Sequence, residues 1–208
     1  DDPPRIAVLI HGGLIIAVHG GLEQRPCSPV QHPAAPLSEE ALDVTTPPVP
    51  LDESTARTWL AVALAEARAG GASGGVPIGA ALVAADGTVL GRGHNRRVQD
   101  GDPSAHAETA AFRAAGRQRS YRGTTMVTTL SPCWYCTGLV RQFGISRLVV
   151  GETRTFTGGH EWLAEHGVEV VVLDDPDCTD LMTRFATEQP GLWLEDIGSD
   201  DDAAAVSR

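Results

Sequence analysis

Two short stretches restrict this chain more than anything else in it: His106-Ala107-Glu108 and, further on, Pro132-Cys133-Trp134-Tyr135-Cys136. One imidazole and two thiolates make three good zinc ligands. Three protein ligands leave a fourth position for water, the catalytic arrangement, whereas structural zinc usually takes four. Cys133 and Cys136 are three apart, so on a first helical turn they share a face. Pro132 just ahead of them suits chain entrance into a helix, where the helix dipole favours thiolate over thiol. His106 and Glu108 are two apart, a spacing that points them to nearly opposite sides of a regular helix. Both face one site only if His106 stands at the helix entrance with non-helical backbone, and Asp102-Pro103-Ser104 before it fits that demand. Zinc lowers the pKa of water towards about 7. Glu108 is then expected to take a proton from that water and pass it on, a role typically worth about 10²–10⁴-fold in rate.

Each piece taken alone has a plainer reading. Cys-x-x-Cys serves as a redox pair elsewhere, a lone His-x-Glu says little, and Glu108 could be an ordinary acid at a helix N-terminus. The two in this order are far more specific. The other cysteines, Cys27 and Cys178, stand alone. That is a poor disulfide framework and a better fit to a reducing compartment with a metal or redox site. A structural zinc module closed by Cys27 or another fourth side chain is the non-enzymatic alternative. A rival motif, Gly71-Ala72-Ser73-Gly74-Gly75, matches the Gly-x-Ser-x-Gly of a nucleophile elbow. An elbow follows a strand and opens a helix. Ser73 is expected to follow a helix and lead into a strand, so it reads as a turn.

Composition narrows the function further. The chain has 208 residues, 42% of them hydrophobic, enough for a sizeable core. Its net charge is −11, which disfavours gripping a phosphate backbone. All 16 basic residues are Arg, so chemistry that needs a Lys, such as a Walker phosphate loop or a pyridoxal Schiff base, is excluded. No apolar run approaches the roughly 20 residues that span a bilayer. Residues 6–18 are broken by His11, Gly12 and Gly13 and read badly as a signal peptide, so a cytoplasmic protein without membrane contact is expected.

Residues 1–50 read as an N-terminal extension, poorly ordered linker or arm, closed by Pro47, Pro48 and Pro50. A loose echo within 6–21 suggests a short added hairpin or strand. Residues 51–200 form the expected catalytic domain, with 201–208 a flexible tail. Asp52 or Ser54 caps a helix that runs to Ala69 and ends at Gly70 and Gly71. Residues 76–84 read as a strand, Asp86-Gly87 as a hairpin turn, and 88–91 as the start of the return strand. Next come a polar loop over 96–104, a helix over 106–117, a strand over 125–130, a helix over 134–143 and a strand over 147–150. A short helix over 161–166, a strand over 168–173 and a helix over 179–188, stopped by Pro190, complete the pattern. The alternation implies an α/β sandwich with an opening antiparallel pair and later parallel strands.

The paired His-x-Glu and Pro-Cys-x-x-Cys motifs are those of zinc-dependent deaminases. Gly91-Arg92-Gly93-His94-Asn95, the stretch from Thr128 to Gly138, Val149-Val150-Gly151-Glu152 and the ending from Trp193 to Gly198 resemble the fungal-type cytosine deaminases. The resemblance covers roughly residues 54–198 and departs at Ala107, where fungal members carry Gly. It implies a three-layer α/β/α sandwich with a mixed sheet of about five strands. It further implies one zinc per chain on His106, Cys133 and Cys136, with Glu108 as proton shuttle. Asn95 and the Ala107 N–H would contact a pyrimidine, Phe156 and Trp193 would wall it, and Asp196 would accept from its exocyclic amine. The implied reaction is hydrolysis of cytosine to uracil and ammonia in pyrimidine salvage, by a homodimer. Guanine, another free base or a modified nucleoside is the runner-up substrate, and the negative charge argues against a tRNA-editing relative.

Overall fold

The computed structural model describes residues 51–199. The expectations for residues 1–50, including the echo within 6–21 and Cys27, and for the tail 201–208 lie outside the described residues. The elements run α1 (Glu53–Ala72), β1 (Gly79–Val83), β2 (Val89–His94), α2 (Arg97–Asp100), α3 (Ala107–Ala114), β3 (Thr125–Leu130), α4 (Trp134–Phe143), β4 (Arg147–Glu152), α5 (His160–Glu165), β5 (Glu169–Val172), α6 (Pro176–Glu188) and α7 (Pro190–Asp196).

Asp52 starts α1. Its carboxylate accepts from the Thr55 N–H at 2.9 Å and from the Ser54 and Thr55 hydroxyls at 2.6 and 2.7 Å. Those bonds, the Ser54 hydroxyl first, hold its pKa down at about 2. At the other end the Ser73 hydroxyl donates to the Gly70 carbonyl at 2.8 Å. The Gly-x-Ser-x-Gly stretch is therefore a helix C-terminus, and no nucleophile elbow forms. The hairpin turn at Asp86-Gly87 is present, with Gly87 at φ +87, a left-handed angle that glycine adopts freely.

The sheet order is β2-β1-β3-β4-β5, antiparallel across the first three strands and parallel from β3 to β5. Side chains alternate between two buried faces. Ala80, Leu82, Met126, Leu148 and Val150 join one core with Ala107 and Ala111 of α3, Val140 of α4 and Leu163 of α5. Ala81, Val83, Val127 and Val149 join another with Ala56, Leu60, Ala63 and Leu64 of α1. Each fully buried aliphatic side chain contributes about 1.5–3 kcal/mol. Close approach is built in by glycine. A Cβ on Gly79 would run into the α1 backbone at Ala63 and Ala67, and one on Gly91 into the α3 backbone at Ala111 and Ala115.

Several boundaries differ from those the sequence predicts: α1 runs on through Gly70 and Gly71 to Ala72, α3 stops at Ala114, and α6 opens at Pro176. β1 opens at Gly79, because Pro77 lacks the N–H a central strand needs. The polar loop over 96–104 contains the short α2. Pro190 does end one helix, but it also opens α7, since proline's missing N–H costs nothing at a first helical position.

Candidate active site and metal centre

The site lies beyond the carboxyl end of the parallel pair β3 and β4, where ligands gather in open α/β sheets. Two helices begin there. His106 is the residue just before α3, with φ −75 and ψ 163, and Cys133 stands just before α4, with φ −63 and ψ 170. Both backbones are extended, so His106 leaves the helix direction while Glu108, one step inside α3, turns to the same cavity. Neither helix start carries a side-chain cap. The capping positions are occupied instead by two of the residues that could hold a metal ion.

His106 Nδ1 lies 3.5 Å from Cys133 Sγ and 3.7 Å from Cys136 Sγ. The three ligand atoms all fall within 4.8 Å of one another. This donor set fits zinc: two sulfurs and one imidazole nitrogen converge, and no Arg lines the adjoining cavity to neutralise them. Electrostatics agree. The hydrogen bond from Cys136 carries the Cys133 thiol down to about 4 against burial, helped by His106. Cys136 is raised well above the ordinary thiol range by the same bond and by burial. Burial works against a charged His106, yet Cys133 prevails and its pKa rises. Glu108 is buried, its carboxyl raised first by desolvation and then by the charge of Cys133. The Thr128 hydroxyl donates to Glu108 Oε1 at 3.2 Å.

A small cavity, partly open to solvent, lies beside this cluster. It is lined by Asn95, His106, Ala107, Glu108, Cys133, Phe156, Trp193 and Asp196, with Ile78, Leu130, Ser131 and Ile197. Eight of the nine residues singled out by sequence thus meet in one place, and Cys136 completes the sulfur pair behind it. Phe156 and Trp193 pack edge to face, with centroids 6.1 Å apart and planes at 88°. Asn95 Oδ1 accepts from the Arg97 N–H at 3.1 Å, and its Nδ2 donates to Asp196 Oδ1 at 2.7 Å. A larger, open cleft lined by Arg113, Arg117, Arg122, Tyr135 and Phe143 includes none of the nine.

Sequence reasoning missed several residues that support this arrangement. Glu152, fully buried, accepts from the N–H groups of Arg154 and Thr155 at 2.6 and 3.0 Å and bonds the Thr155 hydroxyl, shaping the turn before Phe156. Beyond Phe156, the Ser131 hydroxyl bonds His160 Nδ1 at 2.8 Å and accepts from the Gly158 N–H at 2.9 Å. Arg97 bridges Asp196 and Glu195. None of these residues has a spacing or period that marks it.

Residues 53–152 match the family described as the cytidine and deoxycytidylate deaminase zinc-binding region. The cytosine deaminase of Candida albicans is 46% identical over 141 residues, which cover 67% of this chain and 94% of that protein. The chain belongs to this deaminase family. Among solved structures, one from studies of A-to-I editing by tRNA:A34 deaminases is 30% identical with a TM-score of 0.53, covering 60% of this chain and 99% of that one. A guanine deaminase from Nitrosomonas europaea, 22% identical with a TM-score of 0.53, covers 69% of this chain and 89% of its own and shares the deaminase fold. The mixed five-stranded sheet between helices is the fold of these deaminases.

Proposed function

We propose that this chain is a zinc-dependent hydrolase that converts cytosine and water to uracil and ammonia. The observation that carries the reading is the composition of one small cavity. The metal-ligand cluster and Glu108 stand on one side, two aromatic walls enclose it, and a donor and an acceptor, Asn95 and Asp196, stand together on its rim. The 46% identity to a cytosine deaminase supports the same substrate.

His106, Cys133 and Cys136 would hold one zinc ion per chain. When bound, zinc supplies Lewis acidity that makes water a nucleophile near neutral pH. Glu108 takes a proton from the attacking water, gives it to ring N3, and returns a proton to the exocyclic nitrogen as it leaves. Phe156 and Trp193, packed edge to face on each other, wall an uncharged heteroaromatic ring and exclude water. Asn95 donates to the ring carbonyl, the Ala107 N–H at the uncapped start of α3 donates to the base, and Asp196 accepts from the amine.

Thiol ligands require a reducing compartment, which fits the cytoplasm and a place in pyrimidine salvage. Among the described residues no helix is long and apolar enough to cross a membrane. On and beside α4, Trp134, Tyr135 and Phe143 are 66%, 53% and 44% exposed, a surface suited to a homodimer contact.

The test is the ultraviolet spectrum of cytosine on adding purified, zinc-loaded protein. Conversion to uracil with release of ammonia is expected. No conversion, with zinc measured at one per chain, would move the substrate to guanine or another amino-heterocycle.

A further inference from the structure

Arg97 is partly buried near the cavity without lining it; its side chain is 12% exposed. It acts on the site from three atoms. Its main-chain N–H donates to Asn95 Oδ1, Nη1 reaches Asp196 Oδ1 at 3.1 Å, and Nη2 reaches Glu195 Oε1 at 3.2 Å. Asp196 is only 6% exposed on its side chain, so its charge needs a partner. Both acids stand in the last turn of α7, the end where the helix dipole disfavours negative charge. A forked guanidinium, which holds two carboxylates at fixed angles, offsets that local cost.

The pattern of bonds has a directional consequence. Both hydrogen bonds onto Asp196 fall on Oδ1, from Asn95 Nδ2 and Arg97 Nη1. Asp196 Oδ2 takes no hydrogen bond among the described residues. The Asn95 carbonyl is taken by the Arg97 N–H, so the amide faces the cavity with its NH₂ group. The rim then offers one donor and one acceptor, in an order that reads a ring bearing a carbonyl and an amine.

We propose that the Arg97 side chain is a positioning residue for amine recognition, which fixes Asp196 with Oδ2 towards the exocyclic amine. The proposal rests on the cytosine reading and deepens it.

Steady-state kinetics of the zinc-loaded protein, Arg97→Gln and Arg97→Lys would test it. Two ligands are used: cytosine as substrate, and pyrimidin-2-one, the same ring without the amine, as inhibitor. Arg97→Gln is expected to raise the KM for cytosine about tenfold or more, the scale of a lost charge-assisted hydrogen bond. The inhibition constant of pyrimidin-2-one should move much less, and Arg97→Lys should recover part of the loss. Equal weakening of both ligands would overturn the proposal, since Arg97 would then merely hold α7 over the cavity. An unchanged KM in a folded Arg97→Gln protein would overturn it too. If the unsubstituted protein leaves cytosine intact, the cytosine reading fails. The same ratio is then read on the amino base it does convert and on that base's deamino analogue, with the same two outcomes.

Discussion

The two sides of the cavity are built in different ways. On the metal side, His106, Glu108, Cys133 and Cys136 come from two tight sequence motifs at two helix starts, backed by buried strands. On the opposite side, Asn95 and Arg97 follow β2, Phe156 follows β4, and Trp193 and Asp196 ride on the short terminal helix α7. Segments about a hundred residues apart in sequence meet there. In the proposed reading, chemistry falls to local, rigid geometry and recognition to an assembly of distant pieces.

Substitutions should separate the two sides. The largest effect is expected at Glu108→Ala: kcat for cytosine should fall by about 10²–10⁴ or more while zinc, measured by metal analysis, stays bound. Retained turnover would reject a proton-carrying role. Next, Trp193→Ala should raise the KM for cytosine about tenfold, with kcat changed far less, because it removes one aromatic wall and none of the proton-transfer machinery. A loss confined to kcat would erase the distinction drawn above. Gly91→Ala should cost about 1–3 kcal/mol in denaturant unfolding, because the new methyl would push α3 off the sheet and carry Glu108 with it. Gly138→Ala, a site with nothing within 4 Å, should be neutral or slightly stabilising. The smallest effect is at Asp52, which caps α1 on the opposite face of the sheet. Its folded pKa of about 2 lies below the ordinary 3.8. The stabilisation it gives is therefore complete above that ordinary value and is lost as pH falls towards 2. Melting curves of Asp52→Asn should be less acid-sensitive over that window, with activity at neutral pH unchanged.

The same contrast explains what the sequence made legible. The metal side could be read because ligand chemistry forces fixed short spacings, and because His106 and Glu108, two apart, demand a helix entrance between them. β3 and α4 could be read residue for residue, since buried strands of β-branched residues and a Pro-Cys start leave strong local marks. Asn95, Phe156, Trp193 and Asp196 were legible through resemblance alone. Physically, an Asn two residues before an Arg N–H reads as an ordinary turn, and it is one as well. Arg97 and His160 were silent because their partners lie far along the chain. α7 was silent because a proline at its first position reads as a stop.

One feature of the helix starts bears on folding. α3 and α4 give their capping positions to His106 and Cys133 and carry no side-chain cap of their own. A zinc ion joining them would pin both helix starts to one point and bind the native chain in preference to the unfolded one. By mass action, above saturation, each tenfold rise in free zinc would then add about 1.4 kcal/mol to the stability of the native state. Metal supply would set how much of this protein is folded as well as how much of it is active.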